Sequence, residues 1–144
     1  MVRYFDSSFI LAQLLDQAPD PNVRELWRRS SKRLASSLLR IECIIGLRRA
    51  ARALGVPPDE RWVRARIAAL DRMFAGLNFM AVDLSIEAIV RETPALAECR
   101  TLDAIHLATA LRFRRVEEGA LEIVTLDRRM GGLARKLGLV AVPP

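Results

Sequence analysis

Two hydrophobic patterns alternate along the chain. Short apolar runs predict five strands, at 2–5, 34–36, 78–82, 121–124 and 139–142. Longer segments with an apolar residue every three or four positions predict helices at 9–15, 21–29, 37–54, 59–75, 84–96, 103–116 and 130–137. Strands that alternate with helices are typical of a parallel sheet covered by helices. The pattern therefore predicts an α/β fold with a short parallel sheet of about five strands, in a chain long enough for one domain.

The segment Thr101-Leu111 is apolar around nearly the whole helix, which indicates a buried helix. It carries Asp103 near its start and His106, the only histidine of the chain. An aspartate at the start of a helix commonly caps it, because it accepts hydrogen bonds from free backbone amides. The pattern alone leaves two roles open for Asp103, a cap or part of a functional site.

Three further acids lie where they can join Asp103. Asp6 and Asp127 each follow a predicted strand, and the carboxyl ends of parallel strands meet at one edge of a sheet, where α/β folds place their ligands. Ser7 or Ser8 is the expected cap of the helix that follows Asp6. Glu42 interrupts an apolar helical block, and an unpaired buried carboxylate costs several kcal/mol, roughly. Glu42 therefore needs a cationic partner or an open cleft.

Four carboxylates in one cleft repel one another at neutral pH unless a cation neutralises them. Oxygen ligands of this kind suit Mg²⁺ or Mn²⁺, whereas the two distant cysteines, Cys43 and Cys99, do not form a zinc or disulfide pattern. Paired divalent ions activate water and stabilise the leaving oxygen of a phosphodiester. The acids therefore indicate a metal-dependent nuclease.

The overall charge agrees with a polyanionic substrate. The chain has a net charge of +6 over 144 residues, and clustered cations gain affinity for phosphates by releasing counterions. Arg48 and Arg49 belong to an arginine-rich face of two predicted helices, which is either an RNA contact or simply solvated. The chain has no secretory profile at its start and no run of 18 apolar residues, so we expect a cytoplasmic protein without a membrane partner.

Four segments occur together in a characteristic order: Tyr4-Phe5-Asp6-Ser7-Ser8, Arg40-Ile41-Glu42, Leu102-Asp103-Ala104-Ile105-His106-Leu107-Ala108 and Val124-Thr125-Leu126-Asp127. This set resembles the PIN-domain ribonucleases and, more closely, the VapC toxins of bacterial toxin–antitoxin pairs. The resemblance covers essentially the whole chain and implies a single PIN domain over 1–144. It also implies an endoribonuclease that requires Mg²⁺ or Mn²⁺.

The resemblance further implies roles for individual residues. The catalytic and metal-binding set is the acidic quartet Asp6, Glu42, Asp103 and Asp127. Asp6 and Asp103 are the expected direct ligands, and Glu42 and Asp127 complete the site directly or through water. Hydroxyl positions of the family match Ser8 and Thr125, which we expect to hold the carboxylates in place.

The same resemblance implies partners. These are RNA, a second copy of the chain in a homodimer, and a cognate VapB-type antitoxin. The free protein is expected to cleave structured RNA and arrest translation, and the antitoxin is expected to silence this activity. Arg100, with Arg48 and Arg49, is a candidate for binding the substrate, although Arg100 serves helix packing equally well. A lone histidine in an apolar helix is more often a satisfied core residue than a general base, so His106 is left out of the catalytic set.

Two other functions remain open. One is a PIN-fold RNA-binding or regulatory module with negligible turnover, which the complete acidic quartet disfavours. The other is a magnesium-dependent phosphohydrolase on a similar sheet. That class usually needs a lysine near the strand-end acids, and Lys32 and Lys136 are far from them in the sequence.

Overall fold

The computed structural model describes residues 1–17, 21–117 and 119–143. Its sheet contains the strands β1 Val2–Phe5, β2 Lys32–Ser36, β3 Asn78–Met80, β4 Leu121–Val124 and β5 Val140–Val142. All neighbouring strands pair in parallel, in the order β3-β2-β1-β4-β5. This arrangement confirms the predicted α/β fold with a five-stranded parallel sheet.

Helices connect the strands and cover both faces of the sheet. They are α1 Ser7–Leu14, α2 Pro21–Arg28, α3 Leu38–Ala53, α4 Arg61–Ala75, α5 Leu84–Glu92, α6 Thr101–Val116 and α7 Arg128–Lys136. The predicted helix at 84–96 is divided, because Pro94 starts a separate 3₁₀ turn that extends to Glu98. None of the helices in the described ranges combines the length and apolar composition that crossing a membrane requires.

The two sides of the sheet have separate apolar cores. Tyr4 points to the side covered by α5, α6 and α7, whereas Phe5, the next residue of β1, packs with side chains of α1, α3 and α4. This division follows from the alternation of side chains along a strand. Helices α3 and α6 therefore lie on opposite faces and can meet only across an edge of the sheet.

The central strands bring two of the acids to that edge. Phe5 of β1 is in register with Val124 of β4, and the backbone N–H of Asp6 donates to the Val124 carbonyl at 3.2 Å. The residues that follow these two strands are therefore neighbours, as the parallel arrangement predicts.

Two predicted helix starts were wrong. Helix α1 is capped by Asp6 rather than by Ser7 or Ser8, because the extended backbone of Asp6 lets its carboxylate accept the Phe9 N–H. Helix α6 begins at Thr101, so Asp103 lies inside the first turn and does not cap it. The favourable position of a carboxylate near the positive end of the helix dipole is retained.

Candidate active site

Asp6 is the most buried of the four acids. Only 3% of its surface is exposed, and both carboxylate oxygens have hydrogen-bond partners. Oδ1 accepts from the Ser8 hydroxyl at 2.7 Å and from the Phe9 N–H at 3.2 Å, while Oδ2 accepts from the Thr125 hydroxyl at 2.6 Å. Burial raises the pKa of Asp6, and the hydroxyls of Thr125 and Ser8 oppose this rise because they stabilise the ionised form.

The same hydroxyls connect Asp6 to the loop between β4 and α7. Ser8 Oγ accepts from the Leu126 N–H at 2.9 Å, and Thr125 Oγ1 accepts from the Asp127 N–H at 3.1 Å. Asp127 is exposed and caps α7, where its Oδ1 accepts the N–H groups of residues 129 and 130 at 2.8 and 3.0 Å. Ser8 and Thr125 thus fix the positions of Asp6 and Asp127, two acids that are 121 residues apart in the sequence.

Asp103 lies in the first turn of α6 and is partly exposed. Burial raises its pKa, and the negative charge of Asp127 raises it further, with a smaller contribution from Glu42. His106 and Arg100 oppose the rise. Asp103 is therefore within electrostatic reach of both Asp127 and Glu42.

Glu42 has a partner that sequence reasoning did not identify. Its Oε2 contacts Nε2 of His106, a side chain that is only 2% exposed. On the other side of the ring, His106 Nδ1 lies 2.7 Å from Tyr4 Oη, which also accepts the Ser36 N–H at 3.2 Å. The requirement for a partner of Glu42 was foreseeable, but no local pattern connects it with a residue 64 positions away.

A cleft of about 820 Å³ opens beside Asp103 and Asp127. Cationic side chains also line it, from Arg100, Arg128, Arg129 and Lys136. Of the three predicted arginines, Arg100 lies in this cleft, whereas Arg48 lines a separate cavity between α3 and α4 and Arg49 is exposed on α3. The basic residues at the start of α7 were missed, because an arginine beside a capping aspartate looks like an ordinary helix surface.

Comparison with known proteins identifies the family. The PIN-domain profile matches residues 3–136. The chain belongs to the PIN-domain family. This PIN domain is 32% identical over 141 residues to "Ribonuclease VapC46" of Mycobacterium tuberculosis, an alignment that covers 98% of this chain and 96% of the relative. The VapC-type resemblance expected from the sequence is thereby confirmed.

Solved structures share the fold of this PIN domain. VapBC2 from Rickettsia felis, bound to a DNA fragment from its promoter, has a TM-score of 0.67 at 11% identity and covers 98% of this chain and 97% of that chain. A toxin–antitoxin complex from Klebsiella pneumoniae has a TM-score of 0.60 at 17% identity, with coverage of 90% and 89%. At these identities the similarity concerns the fold alone.

The donor set of the PIN domain fits a hard divalent cation. Its acids supply only oxygen atoms, and the repulsion from Asp127, which together with burial raises the pKa of Asp103, is the kind that a bound cation relieves. Within the described ranges, no three histidine, cysteine, aspartate or glutamate side chains converge into a ready-made metal site. The described contacts instead occupy Asp6 with hydroxyls, Glu42 with His106, and Asp127 with backbone amides.

Proposed function

We propose that this PIN domain is a Mg²⁺- or Mn²⁺-dependent endoribonuclease and the toxin of a type II toxin–antitoxin pair. It cleaves structured RNA and thereby inhibits translation, and a cognate VapB-type antitoxin neutralises it. The observation that supports the proposal is a cleft lined by Asp103, Asp127 and three arginines, with Asp6 connected to the loop of Asp127 through the Thr125 hydroxyl.

The acids have distinct tasks in this proposal. Asp6 and Asp103 bind the metal directly, and Glu42 and Asp127 complete the site directly or through water. When bound, the metal supplies an activated water and stabilises the leaving oxygen of the phosphodiester. The Ser8 and Thr125 hydroxyls keep the Asp6 carboxylate in one orientation, so that it does not need to reorganise when the cation arrives.

The RNA backbone binds along the cleft. Arginine suits this task because its planar guanidinium forms paired hydrogen bonds with phosphate oxygens. Arg100, Arg128 and Arg129 all line the cleft, and none of them has a salt bridge among the described residues. Lys136 is already paired with Glu98 at 2.7 Å and is therefore less available to the substrate.

The antitoxin and a second copy of the chain are the proposed protein partners. Structures with this fold include toxin–antitoxin complexes. The chain also exposes large apolar side chains, including Ile41 on α3 at 63% and Leu84 on α5 at 78%, and such surface is typical of protein contacts. We expect a homodimer in solution, which light scattering with size-exclusion chromatography would measure.

A comparison of substrates tests the proposed reaction. Purified protein is incubated with a structured RNA and with a phosphomonoester, each with Mg²⁺, with Mn²⁺ or with a chelator. We expect internal cleavage of RNA only when metal is present and no hydrolysis of the monoester. Monoester hydrolysis would support a phosphohydrolase, and RNA binding without any cleavage would support a regulatory module.

The matched variants are Asp6→Asn and Asp71→Asn. Both remove one negative charge, but Asp71 lies on the exposed side of α4 and outside the acidic site. Cleavage should be abolished in the first variant and unchanged in the second. Equal cleavage by both would refute the assignment of Asp6.

A further inference from the structure

His106 is held at both ends, beneath the acidic site. Its Nδ1 lies 2.7 Å from the Tyr4 hydroxyl and its Nε2 contacts the Glu42 carboxylate. The ring is buried, and Tyr4 is fully buried beside it, with the ring centroids 6.0 Å apart. Any buried histidine needs partners for both ring nitrogens, and here one of these partners is a carboxylate of the predicted acidic quartet.

The hydrogen-bond partners of His106 indicate which ring nitrogen carries a proton. A carboxylate only accepts hydrogen bonds, so Nε2 must carry the proton that is donated to Glu42. In the neutral ring Nδ1 is then an acceptor, and the Tyr4 hydroxyl donates to it. That hydroxyl also accepts the Ser36 N–H at 3.2 Å, so one arrangement satisfies all of these groups.

These contacts connect three elements, and His106 is the hydrogen-bond partner of the Glu42 side chain among the described residues. Tyr4 belongs to β1, His106 to α6 and Glu42 to α3, and the two helices pack on opposite faces of the sheet. The Glu42 side chain is 18% exposed, and a glutamate without a partner has several accessible rotamers. The ring of His106 therefore selects one orientation of the carboxylate at the edge of the sheet.

We propose that His106 is a positioning residue: with its other nitrogen anchored by Tyr4, it holds the Glu42 carboxylate in the orientation that the metal site uses. The inference rests on the proposed function. Outer partners that orient metal-binding groups typically change metal affinity or activity 10–100-fold, roughly, when they are removed. His106 thus acts through Glu42 and does not contact the substrate.

The lone histidine permits a direct spectroscopic test. With ¹⁵N-labelled histidine, the metal-free chain gives signals from one imidazole ring. We expect Nε2 to carry a slowly exchanging, downfield-shifted proton, and we expect this proton to shift upfield in Glu42→Gln. A proton on Nδ1 instead of Nε2, or a spectrum insensitive to Glu42→Gln, would overturn the inference.

Two substitutions test the roles of the two ring nitrogens separately. In His106→Gln the side-chain amide reaches the position of Nε2 and can donate to Glu42, whereas in His106→Asn it reaches only the position of Nδ1. We expect Mn²⁺ affinity, measured by calorimetry, to fall about 10–100-fold in His106→Asn and to be largely restored in His106→Gln. Equal affinity in the two variants would contradict the proposal, and if neither folds, the spectra of the native chain and Glu42→Gln decide.

Failure of this inference is distinguishable from failure of the proposed function. RNA cleavage by the native chain tests the function, whereas the ring spectra require neither RNA nor metal. Metal-dependent cleavage together with a ring insensitive to Glu42 would refute only the role of His106. No cleavage together with the expected spectra would refute the nuclease and keep the contact between His106 and Glu42.

Discussion

Replacement of Asp103 by asparagine should affect stability in opposite directions with and without metal. Asp103→Asn preserves the shape of the side chain and removes its charge. In the folded chain the pKa of Asp103 is raised above 3.8 by burial and by Asp127, so folding favours the protonated form. The resulting stabilisation is fully present below the unfolded pKa and is lost as the pH rises through the folded pKa. At neutral pH the metal-free native chain therefore contains repulsion that the variant lacks.

The two effects differ in size. Asp103 is partly exposed and solvent screens its charge, so relief of repulsion should raise the free energy of unfolding by only about 0.5 kcal/mol. A ligand at 100 times its dissociation constant stabilises the folded state by about 2.7 kcal/mol, which the variant should lose. For a chain of this size, relief of repulsion should raise the Tm of the variant by roughly 2 °C, and metal binding should raise the Tm of the native chain by roughly 8 °C.

Thermal unfolding of the native chain, Asp103→Asn and the exposed control Asp71→Asn should be measured with a chelator and with saturating Mn²⁺. Without metal, Asp103→Asn should be the more stable protein at pH 7, and this advantage should disappear below about pH 3, where Asp103 is largely protonated in both states. With Mn²⁺ the order should reverse, and Asp71→Asn should respond like the native chain. Equal stabilisation of Asp103→Asn by Mn²⁺ would show that Asp103 is not a ligand.

Three further predictions concern other parts of the site. Thr125→Val removes a hydroxyl that donates to the buried Asp6 carboxylate at 2.6 Å, so chemical denaturation should show a loss of about 1.5–3 kcal/mol at neutral pH. Tyr4→Phe keeps the aromatic packing but leaves two buried polar groups without their partner, which should cost about 1–3 kcal/mol in the same measurement. Arg128→Ala should weaken RNA binding and reduce the slope of log affinity against log salt by about 1, whereas Arg64→Ala, on the exposed side of α4, should leave the slope unchanged.

The fold and the placement of Asp6 and Asp127 at one edge of the sheet were predictable because they depend on local pattern and one general rule. Apolar runs identify β1 and β4, and the carboxyl ends of parallel strands coincide wherever the strands lie in the sheet. The two acids therefore lie at the same edge even if the strand order is unknown, but they are close together only because β1 and β4 are neighbours in the sheet. The order, and the distribution of helices between the faces, required the structure.

The contact between His106 and Glu42 was not predictable from local sequence. It depends on the rotation of α3 and α6 about their axes, and packing on two different faces of the sheet sets that rotation. Which arginines border the cleft was equally unpredictable from the local sequence. Arg48 and Arg128 carry the same side chain, but only Arg128 lies on a helix whose start borders the acidic cleft.

The most direct test of the nuclease is the rate of RNA cleavage as a function of Mn²⁺ concentration, for the native chain and Asp6→Asn. The native chain should give no product in chelator and a rate that saturates with metal. Asp6→Asn should lose more than the roughly 100-fold that is typical of changes to outer partners of a metal site. Cleavage in the presence of chelator, or cleavage by Asp6→Asn at the native rate, would contradict a metal-dependent reaction at these acids.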